Sequence, residues 1–255
     1  MADNQEKLQG TDIKLTSSNK FLTWFSNFWY YHKWKVIVIA FFLVIVVVGV
    51  VQMLNKTDPD IEITVATHMI FDQDNVDALD TTFNALLSSD LNGDGKKSVQ
   101  FNHYKIYSES EMQAANEAET DANGDPIIYA DESNNKAQIE QFNNYIATGQ
   151  GSIMIVSEYL YNDLVKRNKE LITPISEIYG DKLPEGVTSD GYGIWLKDTG
   201  AYKNADAYKD LAALKALPED SIICIIRPML LNGERGNEKH QAAVEYFKTI
   251  VEFGK

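Results

Sequence analysis

The chain has 255 residues, 23 lysines and arginines against 37 aspartates and glutamates, and a formal net charge of −14. An apolar fraction of 44% and a charged fraction of 24% are those of a chain that folds, which excludes a disordered polyelectrolyte and a polytopic membrane protein. The acidic balance also argues against a nucleic-acid partner, because binding phosphates needs a cationic face.

Residues 1–20 read as a polar cytoplasmic tail. Residues 21–35, FLTWFSNFWYYHKWK, carry Trp24, Trp29 and Trp34 among other rings and end in lysines. Such a segment suits the headgroup layer of a lipid bilayer, which makes lipid the first expected partner. From Val36 to Val51 no side chain is polar, and Met53 and Leu54 extend the run beyond Gln52. As a helix, 36–54 spans about 28 Å, enough for a hydrocarbon core. A strand of that length would be exceptional. No small-x-small pair stands just after the run, where a cleavage site would lie, and the sole cysteine, Cys224, is too distant for lipidation. An uncleaved signal anchor is therefore predicted. Lys7, Lys14, Lys20, Lys33 and Lys35 precede the run, whereas Lys56, Asp58 and Asp60 follow it. The cationic flank stays inside, so the N-terminus is expected in the cytoplasm and residues 57–255 outside the cell membrane. Residues 1–56 hold six lysines and three acids, net +3, which leaves −17 for the remainder.

The outer part alternates between periods of two and 3.6. Ile61 to Met69 reads as a first strand, with Ile61, Ile63 and Val65 on one face. Asp74 and Asn75 are expected to cap a helix carrying Val76, Leu79, Phe83, Leu86 and Leu87. A turn-rich loop, Asp90 to Lys97, leads to a strand over Val99–Tyr107, followed by a polar insertion at 108–135. A second amphipathic helix, with Ile139, Phe142, Tyr145 and Ile146, ends at Gly149. Ser152 to Val156 is a wholly apolar strand, as expected when both sheet faces are covered. Helices near Tyr159–Arg167 and after Pro174 come next, then a strand at Tyr192–Leu196. A helix near Ala207–Leu217, a strand at Ser221–Arg227 and a helix at Glu238–Phe253 complete the chain. Strands separated by helices predict an α/β domain of three layers with a mostly parallel sheet, preceded by one transmembrane helix.

The order of these elements, with a helix running into QFNNYIATGQGSIMIVS, resembles the first lobe of type 2 periplasmic, or extracellular, solute-binding proteins. The join of FWYYHKWK, one span and such a domain is similar to uncharacterised membrane-anchored proteins of Gram-positive bacteria. The resemblance implies a type 2 periplasmic-binding-protein-like single lobe. About 35 residues separate Ser157 from Tyr192, too few for a second lobe.

Catalytic spacing is not found. There is no G-x-S-x-G, no P-loop and no G-x-G-x-x-G between strand and helix. His68, His103 and His240 make no zinc spacing. Cys224 sits in the apolar run Ile222–Ile226 and reads as a small core hydrophobe. Asp90, Asn92 and Asp94, with the carbonyl of Lys96, match the first half of a Ca²⁺ loop, but its twelfth position is Phe101 rather than a carboxylate. Otherwise this is a polar connection of Asn-Gly and Asp-Gly turns. Asp121, Asn123 and Asp125 with Glu132 form a weaker second match, in which Pro126 replaces the turn glycine. Apart from Ca²⁺, no cofactor is expected.

Open α/β sheets bind ligands beyond the carboxyl ends of their strands. Those ends include Thr67 and His68, Tyr107 and Ser108, Ser157 and Glu158, and Arg227. Thr67, Ser157, Glu158, Tyr192 and Arg227 are the candidate ligand-binding residues, with Arg227 able to clamp a carboxylate or to pair with a nearby acid. The expected function is a membrane-anchored, non-catalytic extracytoplasmic binding module for a small solute. The alternative is a structural or interaction subunit of a cell-surface assembly, with a membrane protein as partner.

Overall fold

The computed structural model describes residues 20–54, 58–118, 130–149, 151–228 and 233–254. The chain divides into two compact units, Met1–Thr57 and Asp58–Lys255. The first contains one helix, α1, Lys20–Leu54. Its 35 residues join the aromatic segment to the apolar run without a break, a rod of about 52 Å. Rings four residues apart stack along it: Trp24 on Phe28 at 5.5 Å and Phe25 on Trp29 at 6.2 Å. Trp24–Val51 is long and apolar enough to cross a membrane, and none of that apolar window is buried.

The second unit is an α/β domain. β1 (Ile61–Thr67) leads through α2 (Gln73–Leu86) to β2 (Val99–Lys105). α3 (Glu109–Ala118) and α4 (Glu132–Ala147) follow, then β3 (Ile153–Ser157) and α5 (Glu158–Asn168). A 3₁₀ turn and α6 (Ile175–Tyr179) precede β4 (Ile194–Trp195). A short α7 (Gly200–Lys203) and a 3₁₀ helix (Lys209–Ala216) come before β5 (Ser221–Ile225) and α8 (Gly233–Glu252). Helix α2 starts two to three residues earlier than the sequence suggests. Its N-cap is Asp72, whose Oδ1 accepts from the Asn75 N–H at 2.9 Å, whereas Asp74 lies within the first turn.

The five strands lie in the order β2-β1-β3-β5-β4. β1 runs parallel to both β2 and β3, but β5 is antiparallel to β3 and β4. The sheet is thus mixed, which corrects the expectation of a mostly parallel one. Parallel neighbours need a crossover long enough to return along the sheet. The chain between β4 and β5 instead passes through α7 and the 3₁₀ helix and comes back to the edge it left. β5 therefore starts at the edge where β4 stops, with Ser221 beside Ser157, and runs back.

Alternating side chains fill both faces. Ile63, Val65, Ile155 and Ile223 pack with Leu79 and Phe83 of α2 and with Tyr246 and Phe247 of α8. Ala66, Met154, Val156 and Cys224 pack with Phe142 and Ile146 of α4 and with Leu160 and Leu164 of α5. Helix, sheet and helix make three layers. The chain passes from β1 outward through α2 to β2 and returns through α3 and α4 past β1 to β3, so the strand order reverses between β1 and β3. Open α/β sheets take ligands beyond the carboxyl ends near such a reversal.

Candidate functional site

At that edge lies an open cleft of about 590 Å³, lined by residues that leave β1 and β2, by α3 and by the turn before β5. Met69, Ile70, Ala114, Ala115, Ala216 and Pro218 give apolar walls. His68, Asn75, Tyr107 and Glu111 are its polar and aromatic members.

Local sequence holds these groups in place. Ser108-x-x-Glu111 is a capping box at the start of α3. The Ser108 N–H donates to Glu111 Oε2 at 2.6 Å, and the Glu111 N–H donates to Ser108 Oγ at 3.3 Å. With one oxygen tied down, Glu111 presents the other, Oε1, 2.6 Å from His68 Nδ1. This is a close ion pair that lies off the axis of an aligned hydrogen bond. Asn135 of α4 grips the Tyr107 backbone on both sides, donating to its carbonyl and accepting from its N–H, each at 2.9 Å. The Tyr107 ring in turn stacks on His68 at 6.4 Å, with Lys105 Nζ 5.2 Å from its centroid.

Pairing with Glu111 raises the His68 pKa above its ordinary value of 6.5 against the opposing effect of burial, and the charge of Asp220 adds to it. Burial by itself would raise Glu111, but His68 and the Ser108 N–H outweigh it and bring it down to about 2. The pairing thus favours the charged form of both groups, an imidazolium facing a carboxylate.

The five predicted ligand residues do not share one edge. Thr67 and Ser157 end β1 and β3, both buried, and Glu158 opens α5 beside them with its N–H donating to the Asp220 carbonyl at 3.1 Å. Thr67 Oγ1 accepts from the Met69 N–H at 3.3 Å, at the entrance to the cleft. Tyr192 and Arg227 stand at the opposite edge. Antiparallel β5 carries its carboxyl end to the level of Ile153, where β3 begins, and Tyr192 precedes β4, which runs in the same direction as β3. There the Arg227 guanidinium pairs with Glu177 and the Arg227 backbone N–H donates to the Leu171 carbonyl at 2.7 Å, while the Tyr192 backbone N–H donates to Asp190 Oδ1. Arg227 is part of an ion pair and does not face the cleft.

The loop singled out for Ca²⁺ turns its oxygens onto its own backbone. Asp90 accepts from the N–H groups of Gly93 and Gly95, Asn92 from that of Asp94, and Asp94 from that of Lys96. Its N–H bonds from Gly95 and Gly93 lower the Asp90 pKa. Asp60 also enters the loop, accepting from Leu91, Asn92 and Ser98. Among the described residues, no three Asp, Glu, His or Cys side chains converge to hold a metal ion. The second acidic match, at Asp121, Asn123 and Asp125, lies outside the described residues.

Sequence reasoning placed His68 and Tyr107 at strand ends but did not join them to Glu111, Asn75 or the alanines of α3. The Ser108-x-x-Glu111 signature was the available signal, since it starts a helix at the carboxyl end of β2. Cys224 is fully buried and burial pushes its thiol up to about 12, so it is not a nucleophile in the folded state. Comparison with known proteins found no matching family model, curated protein or solved structure.

Proposed function

We propose that this chain is a membrane-anchored, non-catalytic binding module whose α/β domain holds a small solute in the cleft between β1, α3 and the turn before β5. The observation that carries the reading is the cleft itself. It stands at the carboxyl edge beside the strand-order reversal, the place where open α/β sheets take ligands. It combines apolar walls with few polar groups, the composition of small-molecule sites. In this reading α1 is an uncleaved single-pass anchor in the cell membrane, with the N-terminus in the cytoplasm and the domain outside. The lysines before the apolar run and the acidic excess after it support that orientation.

The test is a thermal-shift screen of the full chain in lipid nanodiscs against small organic solutes, repeated with Ala115→Trp to fill the cleft. A ligand at a hundredfold excess over its Kd should stabilise the domain by about 2.7 kcal/mol. That gain is expected to vanish in the Trp variant. No stabilisation by any solute, or an equal gain in the variant, refutes the reading.

A further inference from the structure

We propose that the cleft reads its solute through His68 Nε2, which donates a hydrogen bond when the imidazole is protonated and accepts one when it is neutral, so that the preferred solute changes from an uncharged acceptor to an uncharged donor as pH rises. The proposal rests on the binding reading above and adds the chemistry of the ligand and its pH dependence.

The geometry divides the two ring nitrogens. Nδ1 has no exposed surface and lies 2.6 Å from Glu111 Oε1, yet the side chain as a whole is 37% exposed. His68 lines the cleft with the exposed remainder of its side chain, and Nε2 is the ring nitrogen left to meet a solute. Glu111 cannot swing away, because the capping box holds its other oxygen on Ser108. An ionised carboxylate only accepts. Nδ1 consequently keeps its proton in both states of the imidazole, and the proton that titrates leaves from Nε2. One nitrogen is clamped and the other becomes a reversible donor or acceptor.

The surrounding charges decide what kind of solute this nitrogen meets. Glu111 of α3 neutralises the imidazolium, and Asp220, from the turn before β5, adds a negative charge. The Tyr107 ring after β2 stacks on His68, and Lys105 is engaged over that ring. A domain of net charge −17 offers an anion little attraction. Met69, Ile70 and the alanine walls offer a compact cation no partner. An uncharged solute remains, with an apolar body and one polar atom. Because Glu111 raises the proton affinity of His68, the exchange of roles falls above the usual histidine value of 6.5.

Three probes of similar size separate the outcomes: acetophenone accepts only, indole donates only, and ethylbenzene does neither. Their binding to the full chain in nanodiscs is measured by ligand-observed saturation-transfer NMR at about pH 6, below the ordinary histidine value, and at about pH 9, well above it. Acetophenone should bind about tenfold more tightly at the lower pH and indole about tenfold more tightly at the higher, while ethylbenzene is unchanged. His68→Phe should flatten both trends, and Ala115→Trp should remove binding of all three probes. The imidazole ¹⁵N spectrum of the unsubstituted chain gives a check that needs no variant: Nδ1 should stay protonated at both pH values while Nε2 loses its proton. A neutral imidazole protonated on Nε2 overturns the proposal. So do equal affinities for acetophenone and indole at both pH values, although binding that is lost in Ala115→Trp would then leave the solute-binding reading standing. Failure of all three probes to bind at either pH overturns this proposal, while the solute-binding reading then stands or falls by the thermal-shift screen.

Discussion

Glu111 illustrates how one side chain couples secondary structure to chemistry. It closes the capping box of α3, lines the cleft and sets the ionisation of His68. Both shifts predict a pH window for stability. Glu111 is depressed to about 2, so its contribution is present above the ordinary carboxylate value near 4.5 and is lost as pH falls towards 2. His68 is raised, so its contribution is complete below 6.5 and disappears as pH rises through the folded value. The pair therefore stabilises most between about pH 4.5 and 6.5. Glu111→Gln should cost about 1 kcal/mol there, discounted for the exposure of His68, and progressively less as pH rises through the folded His68 value. Urea melts of the two proteins across pH check this, and a cost independent of pH contradicts it. The partnership was hidden in the sequence because His68 and Glu111 lie far apart in the chain. Only the parallel register of β1 and β2, with Thr67 opposite Lys105, brings their neighbourhoods together. Arg227 shows the reverse case. Its chemistry was legible but its position depended on the direction of β5, which a strand's side chains do not encode.

At the scale of elements, local rules were read most easily where burial is one-sided or complete. Helix α2 shows its apolar stripe through Leu79, Phe83 and Leu86, and β3 shows a run buried on both faces. Strand direction was not readable, because residues alternate in the same way whichever way the chain runs. The start of α2 was misplaced for a related reason: Asp72, Asp74 and Asn75 all have cap chemistry, and only geometry shows that Asp72 accepts from Asn75. Asp72→Ala should destabilise the domain by about 1 kcal/mol, whereas Asp74→Ala should change stability by under half of that. Equilibrium denaturation of both variants decides the point; equal losses would contradict the capping assignment. The helix predicted near Ala207–Leu217 exists as a 3₁₀ helix over Lys209–Ala216. Short apolar spacing alone does not separate the two forms.

At the scale of the whole molecule, charge and hydropathy divide the chain at the same place as its compact units. The net −14 is a small cationic segment joined to a strongly acidic domain. The proposed orientation follows from that asymmetry, and cysteine labelling tests it. Native Cys224 is fully buried, so it gives little background with a membrane-impermeant maleimide. In intact cells Ser89→Cys should label and Ser17→Cys should label only after the membrane is opened. The opposite pattern would invert the orientation, and labelling of both in intact cells would remove the anchor.

The shortness of β4 has a further consequence. It is an outer strand of the sheet, yet it holds two residues, Ile194 and Trp195, before the chain bends into a 3₁₀ turn at Leu196–Asp198. Its outer side is also occupied, by the bridge between Val187 and Ile194 and by the Trp195 N–H donating to the Gly186 carbonyl at 2.9 Å, so a neighbouring copy finds no free ladder there. The other outer strand, β2, carries Gln100, Asn102, His103 and Lys105 among its apolar residues, which discourages tight stacking. Proteins tethered in a plane meet one another far more often than free ones. If α1 is the proposed anchor, copies crowded in one plane meet a sheet whose borders, one closed and one hydrated, discourage strand addition.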